Sequence, residues 1–443
     1  MSKTTSETLR KLFIYQVYVR NHTEEGTFKA LINDLDRIQA LGVDIVYLLP
    51  IHEIGELNRK GTLGSPYAIK DYYSLNHELG TLEDFKQLIQ EVHNRNMQIM
   101  MDIVFNHTSP DSVLVKEHPE FFYRNEKGEF SNRVGDWWDI IDFDYTNDPA
   151  LYQTLIDVLS YWTKLGVDGF RFDVPSLLPF DFLEKAHNEI LKINPNHIWL
   201  SESVHGSFLR HIRNLGFEGL SESEIYQIFD MAYDYDTHPY FEGYLKGENS
   251  LKAYTDALLN QEAIYPKNYV KLRNLENHDF GRLAGFVKEN PVKIKNWHAF
   301  SFFNKGATMV FGGGEFSNPF HPSLFDKDTI SREHEDISDL IKVCASLVKD
   351  DIFTYGAYEL EAQNDCIIAS YTYKNEKIYG IFNVSDQEGS ITLKPLSVMN
   401  LFDDVKEPPL HGTFINLIDQ KEVHVQQGTL TLSKSPQIFR VKK

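Results

Sequence analysis

The stretches ALGVDIVYLLP (40–50) and KLGVDGFRFDV (164–174) share one form: the end of a helix, a glycine, then an apolar strand. Glycine stops a helix there because it enters the left-handed conformation that other residues avoid. Two copies of this joint, far apart in the chain, mark a repeated strand–helix unit. Strand patterns at 12–19, 44–50, 98–107, within KLGVDGFRFDV, and at 198–203, 225–232, 269–275 and 308–312 supply the rest. Helical patterns separate them. Phe28, Leu31, Ile32, Leu35 and Ile38 keep helical spacing and Gly42 closes that helix. Thr81 with Asp84 forms a capping box ahead of Phe85, Leu88, Ile89 and Val92, and Asp148 caps a helix with Pro149 at its first position. Further helices are predicted over 180–193, 207–215, 246–262, 292–304 and about 336–349. Eight strands, each followed by a helix-bearing segment, predict an α/β fold: a parallel sheet closed into a (β/α)8 barrel.

After strand three the pattern lapses into a charged, aromatic stretch, 108–147, read as a short inserted domain. After about 352, short alternating runs (CIIASYTY, KIYGIFNV, SITLK, TLTLSK) predict a C-terminal antiparallel β-sandwich. The expected division is therefore 1–107 plus 148–351 for the barrel, 108–147 for the insertion and 352–443 for the β domain.

A chain of 443 residues and 51.3 kDa has room for a barrel of roughly 250 residues and more. The formal charge of -20 argues against nucleic acid as a partner, since phosphate is repelled by such a surface. No apolar run is long enough to span a membrane. Two cysteines, Cys344 and Cys366, fit a reducing compartment better than a disulfide scaffold. The first apolar run, Leu12 to Val19, is short, contains Gln16 and lacks a small-residue cleavage site. The expectation is a cytoplasmic protein without a membrane partner; the sequence carries no mark of its oligomeric state.

In barrels of this kind active sites form where strands end and the following loops begin. Asp102, Asn106 and His107 end strand three, Arg171 and Asp173 strand four, Glu202 strand five, and Asn277, His278 and Asp279 strand seven. Carboxylates gathered on one rim are costly unless used or paired. Glycoside hydrolysis needs such a set: one carboxylate attacks the anomeric carbon or activates water, and another, protonated, serves the leaving oxygen. Taken singly, Asp173 with Arg171 reads equally well as a structural ion pair. His107 and His278 also read as core histidines, and Asp102 as an architectural residue.

Together, DIVFNH (102–107), GFRFDVPS (169–176), WLSES (199–203) and ENHD (276–279) resemble the four ordered motifs of the α-amylase superfamily. SPYAIKDYYSLN (65–76), TLEDF (81–85) and IDFDYTND (141–148) resemble its flanking motifs. The resemblance covers essentially the whole chain. It implies a retaining enzyme acting on an α-glucan oligosaccharide through a covalent glycosyl-enzyme. Asp173 would be nucleophile, Glu202 general acid/base and Asp279 a grip on substrate hydroxyls. Tyr67 would stack on the sugar in the first subsite, with His107, Arg171 and His278 in support and Asp102 orienting its neighbours to bind substrate. Apart from the resemblance, Trp137 and Trp138, in the irregular stretch above the rim, are candidate sugar platforms. The first expectation is hydrolysis of α-1,4 bonds in soluble malto-oligosaccharides. An α-1,6-glucosidase, a glucanotransferase or a disaccharide isomerase would share the motifs. Val174, directly after the nucleophile, occurs in members acting on either linkage.

The chain departs from the family in one place. Many members carry a Lys-His pair shortly after the nucleophile, whose histidine carbonyl helps to bind calcium. Here the residues are Val174, Pro175, Ser176, Leu177 and Leu178. No cofactor is expected to be required and no metal site is assigned, with Asn106 the remaining candidate calcium ligand. A non-catalytic relative would lack the acid residues, all present here. A metal-dependent barrel hydrolase would need ligands such as His-x-His on strand one, which YQVYV does not offer.

Overall fold

The computed structural model describes residues 5–135, 137–393 and 408–442. Eight parallel strands close into a barrel in sequence order: β1 (Phe13–Val17), β2 (Ile45–Leu48), β3 (Gln98–Ile103), β4 (Gly169–Phe172), β5 (Ile198–Ser201), β6 (Met231–Tyr233), β7 (Lys271–Arg273) and β8 (Ala307–Phe311), with β8 pairing back onto β1. Alternation divides each strand between two cores. Ile14, Tyr47, Met100, Leu200, Tyr233 and Met309 are among the residues that fill the barrel interior. Residues such as Val46, Met101, Phe170 and Trp199 pack outward against the helices. On β7 the outward layer is polar. Buried Lys271 is held by Glu222 and by Asp236 at 2.9 Å, and Arg273 donates to Gln261 at 2.8 Å.

The helix–glycine–strand joints form as their sequence dictates. Helix Phe28–Ala40 buries Phe28, Leu31, Leu35 and Ile38, and Gly42 follows at φ +91. Helix Ala150–Leu165 ends at Gly166, φ +109, and turns directly into β4. Asp148 accepts the Ala150 N–H at 2.8 Å, the expected cap. The Thr81–Asp84 capping box is complete on helix Leu82–Asn94.

Several boundaries differ from expectation. The strand expected at 225–232 begins only at Met231; Ser221 and Glu224 form a capping box, so Ile225 and Phe229 pack from a helical turn. The helix expected at 246–262 forms as Leu251–Ile264, and a separate helix that was not expected, His238–Leu245, precedes it. Strand three stops at Ile103 and strand seven at Arg273, so Asn106, Asn277, His278 and Asp279 stand on loops beyond the barrel strands and His107 opens a short strand of its own. An antiparallel pair, His52–Ile54 with Ile69–Leu75, rises after β2, and a small pair, His107–Thr108 with Ile141–Asp142, ties down the 108–147 excursion.

Beyond the barrel lie two antiparallel sheets. One contains β9 (Ala357–Gln363), β10 (Cys366–Tyr373), β11 (Glu376–Phe382) and β16 (Gln437–Lys442). The other contains β12 (Ser390–Thr392), β13 (Gly412–Ile415), β14 (Glu422–Gln426) and β15 (Thr429–Thr431). Ile368, Ile381, Val423, Val425 and Phe439 fill the space between them, so the expected sandwich is present; Lys394 of SITLK and the terminal residues 1–4 and 443 lie outside the described residues. The sandwich is anchored on the barrel by the Tyr371 hydroxyl, which donates to the Phe303 carbonyl at 3.1 Å.

A Cβ added to Gly166 would sit 3.1 Å from Ile89 Cγ2 in a left-handed backbone. Gly166→Ala should therefore cost about 1–3 kcal/mol in denaturant unfolding. A change within experimental error would show that the joint tolerates a side chain.

Candidate active site

The site is built on register. Asp102 on β3 pairs with Arg171 on β4, and Phe172 on β4 pairs with Ser201 on β5. One step further, Asp173 and Glu202 leave adjacent strands side by side. Their N–H groups donate to Ile103 O at 2.9 Å and Phe172 O at 3.0 Å, continuing the ladder. Arg171 points into the barrel mouth and is 0% exposed. Its Nη1 donates to Asp102 Oδ1 at 2.8 Å and to Asp173 Oδ1 at 3.1 Å, and its Nη2 lies 2.9 Å from Glu202 Oε1. One guanidinium thus holds three carboxylates.

Asp102 is completed by two phenols. Tyr47 donates to its Oδ2 at 2.8 Å and Tyr67 at 3.0 Å. Because the single Tyr67 proton goes to Asp102, the 2.5 Å contact between Tyr67 and His278 Nε2 requires the histidine to donate. His278 Nδ1 then accepts from the Gln16 amide at 3.2 Å, which fixes the tautomer. Burial holds His278 below the ordinary imidazole range, so the ring is neutral.

Backbone geometry presents the remaining groups. Val174 sits at φ +36 and ψ 49, an outlier for a β-branched residue, and its N–H donates to Glu202 Oε2 at 2.9 Å. Asn277 Oδ1 accepts the N–H groups of Asp279 at 2.8 Å and Phe280 at 3.0 Å, a side-chain turn that lifts Asp279 to the surface, 40% exposed at its side chain. Glu276, in the same motif, is structural: it binds Arg282 Nη1 at 2.6 Å and the Leu283 N–H at 2.7 Å.

A cavity of about 320 Å³ opens above this cluster, lined by Tyr67, His107, Asp173, Glu202, His278 and Asp279 among others. Six of the eight residues singled out in the sequence therefore meet at one surface. Asp102 and Arg171 do not reach it; both are fully buried beneath and act on it through their partners. Trp137 lines the cavity, its ring 5.6 Å from that of His107, whereas Trp138 is 63% exposed outside it. Lys60, Asp139, Leu324 and Phe325 also line the cavity and carry no motif. Gln16 and Tyr47 had a weak mark, each a polar group on an inward-facing strand position.

Burial sets the protonation. It pushes Glu202 up to about 7, opposed by Arg171 and assisted by Asp279. Burial and the neighbouring Glu202 also push Asp173 above the usual carboxylate range. Three carboxylates around one guanidinium leave the pocket net negative. The pair therefore retains a proton near neutral pH and titrates as a unit. Burial and Lys60 lower His107 to about 3, leaving it neutral. Such a pair can combine a nucleophile with a proton donor.

The residues beside Asn106 do not fit a calcium ion, which needs about six to eight oxygens. Asp142 Oδ2 accepts the Arg133 backbone N–H at 2.8 Å and faces its guanidinium at 3.4 Å, and Asn106 turns its amide nitrogen toward Asp142 Oδ1 at 3.4 Å. A built-in cation stands where oxygens would have to converge.

Comparison with known proteins places the fold in a family. The family model for the α-amylase catalytic domain matches residues 13–353, and that for the bacterial α-amylase C-terminal domain matches 359–439. The chain belongs to the α-amylase family. A crystal structure of an α-amylase from Lactobacillus plantarum is 39% identical to this family member, with a TM-score of 0.92 over 98% of this chain and 100% of that one. A noncanonic maltogenic α-amylase from Thermotoga neapolitana is 32% identical, with a TM-score of 0.86 over 98% and 100%. An α-1,4-glucan:maltose-1-phosphate maltosyltransferase of Picrophilus torridus is 32% identical over 49% of this chain, and the matched stretch spans 39% of that protein. For the Salinibacter ruber maltosyltransferase the figures are 34%, 45% and 34%. Among the described residues, no helix of this α-amylase-family chain is long and apolar enough to cross a membrane.

A carboxyl raised in the folded state, here from 4.5 to about 7, binds more protons folded than unfolded across that interval. Stability therefore falls as pH rises through it. Glu202→Gln should remove this loss: relative to the parent, the variant gains on the order of 1 kcal/mol or more in denaturant unfolding at about pH 8 and little at about pH 4. An equal effect at both values would contradict the assignment of a raised carboxyl.

Proposed function

We propose that the protein is a retaining glycoside hydrolase that cleaves α-1,4 bonds in soluble malto-oligosaccharides. The observation that carries this reading is the pair of carboxyls, Asp173 and Glu202, held on the two terminal nitrogens of one buried guanidinium at the floor of a cavity. In the proposed cycle Asp173 attacks the anomeric carbon while Glu202 gives its proton to the leaving oxygen. Water, deprotonated by Glu202, then releases the sugar from Asp173. Sharing one guanidinium keeps the carboxyls close, which suits the separation of about 5–5.5 Å in retaining enzymes rather than the wider gap of inverting ones. Asp279, across the cavity, accepts hydrogen bonds from ring hydroxyls, assisted by neutral His278 and His107. Tyr67 forms part of the wall against which the ring rests. The names of the Lactobacillus plantarum and Thermotoga neapolitana neighbours support action on starch-type glucans.

Transfer to a sugar acceptor is the second reading, supported by the maltosyltransferase names of the curated relatives. The two readings share the glycosyl-enzyme and differ in what attacks it. Incubation with maltoheptaose, with and without added acceptor, distinguishes them: short products alone mark hydrolysis, and lengthened products mark transfer.

Asp173→Asn and Glu202→Gln should each lower turnover about a thousandfold or more with the fold intact by circular dichroism. A variant keeping more than about a tenth of parental turnover would remove its residue from the proposed role. The first product seen by proton NMR should be the α-anomer, and the β-anomer would refute retention.

We also propose that activity does not depend on calcium, because Arg133 supplies the positive charge facing Asp142. Dialysis against a chelator should leave turnover unchanged. Full loss restored by calcium alone would overturn this.

A further inference from the structure

One side of the cavity is built from loops tied to one another. Three loops meet there: the loop after β2, the excursion after β3 and the loop after β8. The Leu63 N–H donates to Phe325 O at 2.9 Å, and Thr62 donates to Asp326 Oδ1 through its N–H at 2.8 Å and its hydroxyl at 2.6 Å. The loop after β2 is joined to the excursion by Lys60, whose ammonium lies 2.7 Å from buried Asp139 and 4.5 Å from the centre of the Trp138 ring. Arg20, in the short helix Val19–His22 after β1 and 3% exposed, donates to Gly64 O at 3.1 Å and to Leu324 O at 3.2 Å. Tyr18 donates to Leu324 O at 2.9 Å. A single buried guanidinium thus ties the β2 loop to the β8 loop over the top of β1.

The position of this wall gives it a consequence. In a closed barrel with strands in sequence order, β1 stands opposite β5. Glu202 follows β5, and a proton donor must sit against the bond to the leaving group. The leaving chain therefore departs on the β5 side, and the sugar that becomes attached points toward the β8–β2–β3 side, where Lys60, Leu324 and Phe325 line the cavity. An internal bond of a long chain can be cut only if the chain continues past both sides of the catalytic pair. Here hydrogen-bonded loop backbone and an ion pair stand on that far side.

We propose that the β2–β3–β8 loop wall ends the cavity on the non-reducing side, so that the enzyme removes short units from free non-reducing chain ends and does not cut chains internally. This rests on the α-glucan reading above. Lys60 and Phe325 would set how much of the chain end fits.

The test uses nitrophenyl maltoheptaoside in two forms, one with a free non-reducing end and one with that end capped by an ethylidene group, with products resolved by chain length. The free form should be cut to a narrow set of short products, and the capped form should react about a hundredfold more slowly or worse. Cleavage of both forms within about tenfold of each other would overturn the wall while leaving α-glucan cleavage intact. Failure on both would overturn the α-glucan reading and the wall with it. A variant outside the cavity lining, Asp326→Ala, removes the side-chain tie that Thr62 makes to the β8 loop. It should gain cleavage of the capped form while its continued action on the free form shows that it is folded. Action on the free form with no gain on the capped one would overturn the assignment.

Discussion

The Arg171 guanidinium is the interaction on which the rest of the site depends. Burying a positive charge completely is unfavourable unless its donors find partners. Here Asp102 and Asp173 accept from Nη1 and Glu202 forms an ion pair with Nη2, from three consecutive strands, while Nε has no hydrogen-bond partner among the described residues. Removal of the arginine would leave three buried carboxylates facing one another. The same arrangement explains why the pocket keeps a proton. The cation offsets only part of the surrounding negative charge, so burial and mutual repulsion raise the carboxyls, with Glu202 reaching about 7. Structure and proposed chemistry therefore come from one charge imbalance.

Outward from this centre the site is ordered by hydrogen bonds that leave little freedom. The Tyr67 proton goes to Asp102, which fixes His278 as donor and Gln16 as the group behind it. Val174 adopts a backbone conformation that costs about 1–3 kcal/mol and thereby aims its N–H at Glu202. The barrel supplies the counterweight: adjacent strands in register set Asp173 beside Glu202 without any loop having to fold correctly first.

Much of this is legible in the chain because it rests on local rules. Glycines after the helices over 28–40 and 150–165 marked the joints, and the polar residues of DIVFNH, GFRFDVPS, WLSES and ENHD fall on the rim. What the sequence hid is what depends on distant partners. Ile225 and Phe229 read as strand because their apolar side chains are buried either way; only the capping pair Ser221 and Glu224 separates helix from strand. Asp102 and Arg171 read as substrate contacts, yet they lie under the cavity, since burial depth is not written in a motif. Lys60 and Phe325 come from loops without periodicity, and those loops are joined by Arg20, from the short helix after β1.

The central claim is that Asp173, beside a protonated Glu202, forms the bond to the sugar. A glucosyl fluoride carrying a second fluorine on the ring, which slows release of the attached sugar, tests it directly. After brief incubation and peptic digestion, mass spectrometry should find the sugar on the peptide containing Asp173 and on that residue within it. Label on Glu202 or Asp279, or turnover of the fluoride with no covalent adduct at any time point, would contradict the account.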